Sequence, residues 1–302
     1  MTRLVAGIDG GQSSTTALIA DETGRVLARG VAGPADEVGV ARDSTRLRDA
    51  LAGALADACR SAGLAPGSEF TAIVAGVSGY AGRVYGREPN LPVRHLVLTH
   101  DAPIAHAGAL AGGPGIVVIA GTGSVVYARD DWGAERTLGG WGYLFGDEGS
   151  AFGIVRDGLA ALMRRADDGS EDTAAASAAC TFFGVGSLRE LVRAVYAGEI
   201  ARDALAAFAP AALSLAYFRP FAASGAERLA ELVRAVAATL SVPKVSLLGG
   251  LFADQDFRAN VIRAIRSSVA AAQIVEPKYE AAAGALLLAY REIGAAVPDL
   301  SL

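Results

Sequence analysis

Asp9-Gly10-Gly11-Gln12-Ser13-Ser14-Thr15-Thr16 puts a carboxylate at the end of an apolar run, then two residues without Cβ, then a series of hydroxyls. Such a turn brings backbone N–H groups close to an anion while the hydroxyls also donate. Working outward, residues 4–9, 16–20 and 25–30 read as three short strands, the second joint being the turn-rich Asp21-Glu22-Thr23-Gly24. The pattern returns in the second half, where residues 115–120 lead into Gly121-Thr122-Gly123-Ser124, followed by strands at 125–129 and 136–138. Antiparallel meanders that open each half and are followed by helices predict two related α/β domains facing each other across a cleft.

The rest of the chain supports that reading. At roughly 150 residues per domain, the 302 residues suggest two domains. Leu47, Leu51, Leu55 and Cys59 repeat at helical spacing within 44–62, and 71–77 reads as a buried strand. Strand 96–99 delivers the chain to Asp101. Helices are expected at 151–165, at 188–196 behind a Ser187-x-x-Glu190 capping box, and at 227–240, with a strand at 244–248 running into Gly249-Gly250. The Ala-rich stretch 281–289 reads as a helix packed tightly on a sheet.

Composition excludes several classes of partner. Lys and Arg number 27 against 32 Asp and Glu, a formal charge of -5, so no basic excess meets a nucleic acid or an anionic membrane. The apolar run before Asp9 is too short for a signal peptide, and a soluble cytoplasmic protein is expected. Cys59 and Cys180 fit no disulfide framework or zinc spacing and read as buried free thiols.

Candidate chemistry concentrates in a few places. There is no P-loop and no G-x-G-x-x-G opening a helix after a strand. Gly76-Val77-Ser78-Gly79 lacks the spacing of a nucleophile elbow, which leaves Ser78 and Gly79 as cleft lining. Asp101, in Thr99-His100-Asp101-Ala102-Pro103, sits where a strand gives way to a helix. It suits an N-cap, and it equally suits a base that accepts a proton from a hydroxyl attacking phosphorus. Asp9 could hold Mg²⁺ through water. The two glycine turns could grip one polyphosphate from both sides.

Gly139-Gly140-Trp141-Gly142-Tyr143-Leu144-Phe145-Gly146-Asp147-Glu148-Gly149-Ser150 surrounds aromatics with five glycines and places a carboxylate pair ahead of a helix. Together with Asp9-Gly10-Gly11, Asp101 and Gly121-Thr122-Gly123-Ser124, it resembles the N-acetylglucosamine kinases of the BadF/BadG/BcrA/BcrD ATPase family. The likeness runs from about residue 4 to residue 290. It implies two ribonuclease-H-like, actin-like ATPase domains with an inter-domain cleft: residues 1–111, completed by a helix at 285–302, and residues 112–284.

The resemblance also implies roles. Asp101 would be the catalytic base on a sugar 6-hydroxyl. Gly10, Gly11, Gln12 and Ser13 would form the first phosphate motif, with Asp9 beside Mg²⁺. Gly121, Thr122, Gly123 and Ser124 would form the second, and Gly249 and Gly250 the adenosine motif. Gly140, Trp141 and Asp147 would bind the sugar together with Asp36, Ser78 and Gly79. Relatives are often dimers, so a homodimer is implied.

Two departures bear on substrate. Gln12 and Ser13 stand where the family has a third glycine and Thr, which adds bulk near the phosphates. In Gly33-Pro34-Ala35-Asp36, an acid replaces the family's Asn. A carboxylate only accepts and prefers a cation, which shifts weight from N-acetylglucosamine toward glucosamine unless Asp36 merely shapes a turn. A different class within the family, ATP-driven activators of acyl-CoA reductases and dehydratases, bridges an iron–sulfur cluster through cysteines. Cys59 and Cys180 lack that context.

Overall fold

The apolar run ahead of the glycines forms β1 (Val5–Gly10), and the hydroxyl run behind them forms β2 (Thr15–Ala20), antiparallel with Gly10 opposite Thr15. The computed structural model describes residues 3–37, 39–65, 67–296 and 298–301. β3 (Val26–Ala32) completes the meander, followed by α1 (Arg46–Ser61), β4 (Phe70–Val77), β5 (Val93–His100) and α2 (Asp101–Ala109). The sheet runs β3-β2-β1-β4-β5, with β4 parallel to both β1 and β5. β1 is apolar without alternation because both of its faces are covered. Ala6 and Ile8 pack with Leu47, Leu51 and Leu55 of α1. Val5 packs on the other face with Leu286, Leu287 and Tyr290 of the Ala-rich segment, which forms a late helix, Ala281–Glu292.

That helix crosses α2 at backbone contact. A Cβ added at Gly284 would lie 1.9 Å from the Ile104 carbonyl and 2.3 Å from the Gly108 nitrogen. Only glycine permits this approach.

The second half repeats the arrangement with β6 (Gly115–Ala120), β7 (Ser124–Arg129) and β8 (Glu135–Gly139), then β9 (Lys244–Leu248) and β10 (Gln273–Ile274) after a helical stretch. Its order, β8-β7-β6-β9-β10, matches the first sheet position for position. The weak sequence repeat therefore corresponds to a duplicated topology. The intervening helices are α3 (Ala151–Asp167), α4 (Thr173–Phe183), α5 (Leu188–Tyr196), α6 (Arg202–Ala207), α7 (Ala209–Ser214) and α8 (Arg219–Ala237). α9 (Gln255–Ser268) follows β9, and Ala281–Glu292 is α10. The Ser187 hydroxyl accepts from the Glu190 N–H and the Glu190 carboxylate accepts from the Gly186 N–H, so the capping box forms, reaching one residue further back than usual.

The chain forms two compact units, Met1–Pro114 with Glu276–Leu302, and Gly115–Val275. The crossovers differ from the expected 111/112 and 284/285 for local reasons. β6 begins only at Gly115, and Lys278 and Tyr279 already donate their N–H groups to the carbonyls of Ala109 and Gly108. α4, α6, α7, α9 and β10 are additions to the sequence reading, and α8 starts eight residues before the expected 227. Cys59 and Cys180 are free thiols but half-buried, a correction to the expectation of full burial, and burial raises the pKa of both. Among the described residues no single helix is long and apolar enough to cross a membrane.

Candidate functional site

In the first unit, β1, β4 and β5 run the same way, so their carboxyl ends share one sheet edge. Open α/β sheets bind ligands at that edge. It carries Asp9 at the end of β1, Ser78 just after β4, and Asp101 just after β5. Asp101 is the first residue of α2; the N-cap is His100, whose side chain accepts from the Ala102 N–H. The capping role considered for Asp101 thus falls to its neighbour, leaving the carboxylate at a helix N-terminus with half of its side-chain surface open.

Asp101 and Asp9 both bind protons more tightly than ordinary aspartates. Partial loss of water around the half-open Asp101 carboxyl raises its pKa, outweighing the opposing influence of His100, the Ser78 hydroxyl and backbone N–H groups. Asp9 rises from 3.8 to about 6, chiefly through burial, then through the like charges of Asp101 and Glu280. Glu280 has its own counter-ion, Arg29, at 2.7 Å. Carboxylates that repel each other at one sheet edge favour any cation that joins them.

The glycine hairpin and the loop at 33–36 are stitched together. Gly11 N–H bonds the Ser14 carbonyl and leaves Gln12 and Ser13 exposed. The Gly11 carbonyl accepts from Ala35 N–H, and the Thr15 hydroxyl donates to the Gly33 carbonyl. Glu37 N–H then bonds the Ser78 carbonyl. Asp36 is buried in this loop, but it does not await an amine: Arg46, the first residue of α1, sits 3.1 Å from its carboxylate. The cation that a buried carboxylate demands comes from the chain itself.

In the second unit, Gly121–Gly123 join β6 to β7, with Gly121 N–H bonding the Gly123 carbonyl. The first two N–H groups of α3, from Ala151 and Phe152, donate to the carbonyls of Gly121 and Thr122. Ser124 departs from expectation. It is buried, and its hydroxyl donates to the Glu148 carbonyl at 2.7 Å, so Gly121, Thr122 and Gly123 present the turn without it. Gly249, with φ +106°, is pressed against β6; a Cβ there would lie 2.3 Å from the Ala120 carbonyl. The structure thereby brings the expected adenosine motif beside the second phosphate turn.

Asp147 also departs from its expected role. It is buried, one oxygen accepting from Ser124 N–H at 3.2 Å and the other from Arg202 Nη2 at 2.7 Å. Both oxygens are engaged within the unit, whereas Trp141, expected in the same sugar-binding segment as Gly140, has its ring largely exposed. Sequence reasoning missed Arg46 and Arg202. No local pattern marks either, and only the demand of a buried acid for a counter-ion points to them.

The sequence profile of the BadF/BadG/BcrA/BcrD ATPase family matches residues 6–289. The chain belongs to this family. A Clostridium acetobutylicum relative, N-acetylmuramic acid/N-acetylglucosamine kinase, is 32% identical over 111 residues, covering 37% of this chain and 36% of the relative, so the alignment spans about a third of that protein's length. A structure of a candidate N-acetylglucosamine kinase from Chromobacterium violaceum superposes with a TM-score of 0.78 at 28% identity, over 95% of this chain and 98% of that one. The ROK hexokinase of Thermus thermophilus shares the fold with a TM-score of 0.55 at 21% identity, over 96% and 99% of the two chains. This member of the ATPase family thus has the two-domain α/β architecture of the sugar kinases.

Proposed function

We propose that the chain is an ATP-dependent amino-sugar kinase that transfers the γ-phosphoryl group to the 6-hydroxyl of N-acetylglucosamine. The observation that carries the reading is Asp101: a carboxylate at a helix N-terminus, bonded to Ser78, at the sheet edge that also carries the glycine hairpin and Asp9. There it is placed to accept a hydroxyl proton late in transfer. The names of the Clostridium and Chromobacterium relatives support an amino sugar. The Asp36–Arg46 pair favours the acetylated sugar over glucosamine, because the acid is already neutralised.

In this reading Gly10, Gly11, Gln12 and Ser13 of the first unit hold phosphates, as do Gly121, Thr122 and Gly123 of the second, with Gly249 and Gly250 next to the adenosine. Gly140 and Trp141 meet the sugar, along with Ser78 and Gly79. The mutual repulsion of Asp9 and Asp101 fits a divalent cation. Asp9 would hold Mg²⁺ through water, and the ion supplies charge neutralisation on the transferred phosphoryl. A cytoplasmic homodimer completes the proposal.

A coupled ADP-release assay across N-acetylglucosamine, N-acetylmuramic acid, glucosamine and glucose tests the substrate. Asp101→Asn is expected to retain nucleotide binding and lose about a hundredfold or more of kcat. Near wild-type turnover in that variant removes Asp101 from the chemistry, and the absence of sugar-dependent ADP release from the wild type refutes the kinase reading.

A further inference from the structure

Arg202 lies at the start of α6, far in sequence from every motif, yet it reaches the second phosphate turn. Its guanidinium bonds Asp147 at 2.7 Å and sits over the rings of Tyr143 and Phe152, 5.4 and 5.8 Å from their centroids. The Asp147 carboxylate in turn accepts the Ser124 N–H, the first donor after the turn. The pair lies flush against the turn's backbone: a Cβ built at Gly123 would meet Arg202 Nη2 at 2.8 Å and an Asp147 oxygen at 2.9 Å. Glycine at 123 is therefore dictated by the ion pair as much as by any ligand.

Two costs are carried by this arrangement, and one pair of hydrogen bonds helps to hold it. Asp147 holds a left-handed backbone, φ +65°, which a non-glycine residue adopts only when its surroundings fix it. Its own carbonyl is pinned by the Ser150 hydroxyl and N–H at the mouth of α3. The Arg202 Nε is buried without a hydrogen-bond partner, a penalty tolerated for the sake of the Nη2 contact.

Charge gives the arrangement a function. A polyphosphate bound by Gly121–Gly123 would lie next to a buried carboxylate, and like charges at short range in a dry setting repel strongly. We infer that Arg202 is a positioning residue of the nucleotide site: by neutralising Asp147 and fixing it beneath the Gly121–Gly123 turn, it makes that turn able to accept an anion. The inference rests on the kinase reading for the identity of the anion.

The test is titration of a non-hydrolysable ATP analogue into wild type, Arg202→Met, Arg202→Lys, Asp147→Asn and the Arg202→Met/Asp147→Asn double variant, with kinetics in parallel. Removing one partner of a buried pair exposes the other's charge, so Arg202→Met should weaken nucleotide binding about tenfold or more, increasingly at low salt. The KM for sugar should stay within about twofold. Arg202→Lys should recover part of the loss. The double variant, with no stray charge, should bind nucleotide more tightly than Arg202→Met alone, a rescue that a purely structural role does not produce.

The inference is overturned if folded Arg202→Met keeps wild-type nucleotide affinity, if the KM for sugar rises in place of nucleotide Kd, or if the double variant binds no better than the single. Should Arg202→Met fail to fold, Arg202→Lys decides by the same split, and Asp147→Asn, which removes the repelling charge and keeps the cation, should bind nucleotide at least as tightly as wild type; a tenfold weaker affinity in folded Asp147→Asn overturns the charge argument. A wild type that binds nucleotide without phosphorylating any sugar refutes the kinase reading alone. One that binds no nucleotide refutes both.

Discussion

Replacing Asp9 by Asn should make the ligand-free protein more stable, and the gain should depend on pH in a defined way. The carboxyl of Asp9 is displaced from 3.8 to about 6 by burial, Asp101 and Glu280, in that order. Between those two values the native chain holds a proton that the unfolded chain has lost, so stability falls as pH rises through the window. Above pH 6 the penalty is complete and amounts to about 3 kcal/mol; below 3.8 both states are protonated and it vanishes. Asn carries no charge, so the difference between variant and wild type isolates this one group. Urea unfolding of both proteins from about pH 8 down to about pH 4 should show an advantage for Asp9→Asn of about 3 kcal/mol at the alkaline end, shrinking through the window. Mg²⁺ with nucleotide should narrow the gap, since a cation beside Asp9 favours its charged form. An advantage that does not change with pH, or a variant less stable than wild type above pH 6, refutes the electrostatic account of this edge.

Two more outcomes follow from the geometry. Gly284→Ala places a methyl 1.9 Å from the Ile104 carbonyl; the α10–α2 crossing must then open, at a cost of about 3 kcal/mol or more, and an unchanged unfolding midpoint would contradict the backbone contact. Trp141→Ala removes a ring that is 77% exposed, so stability should stay within about 0.5 kcal/mol while the KM for sugar rises and nucleotide affinity holds; an unaltered KM for sugar would take Trp141 out of the substrate site.

The fold was legible where the chain alternates sharply between apolar runs and turn formers. Both meanders were readable because Gly10-Gly11 and Gly121-Thr122-Gly123 interrupt strands that contain few other breaks. α4 and α7 escaped because their alanines repeat without a stripe of large apolar residues, and the first turns of α8 for the same reason. α9 was different: Phe257, Val261 and Ile265 stand four apart and are all buried, a periodic signal present in the sequence. At the site, residues that act from strand ends were readable because position and chemistry coincide, as at Asp9 and Asp101. Charge pairing was not. The sequence offers Asp36 as a receptor for a ligand's amine, whereas the fold sets Arg46 beside it; the resemblance offers Asp147 as a sugar contact, whereas the fold sets Arg202 on its second oxygen. A buried acid announces that it needs a cation, but which arginine comes to it is settled only by tertiary folding.

The divided first unit has a consequence for biosynthesis. Its sheet is complete once β5 has been made, yet one face is covered only in part, by Ile104 of α2, until Leu286, Leu287 and Tyr290 emerge, after the entire second unit has left the ribosome. The later-made unit, contiguous in sequence, can therefore reach its native state first, while the earlier one waits as an open-faced intermediate that a nascent-chain chaperone would bind.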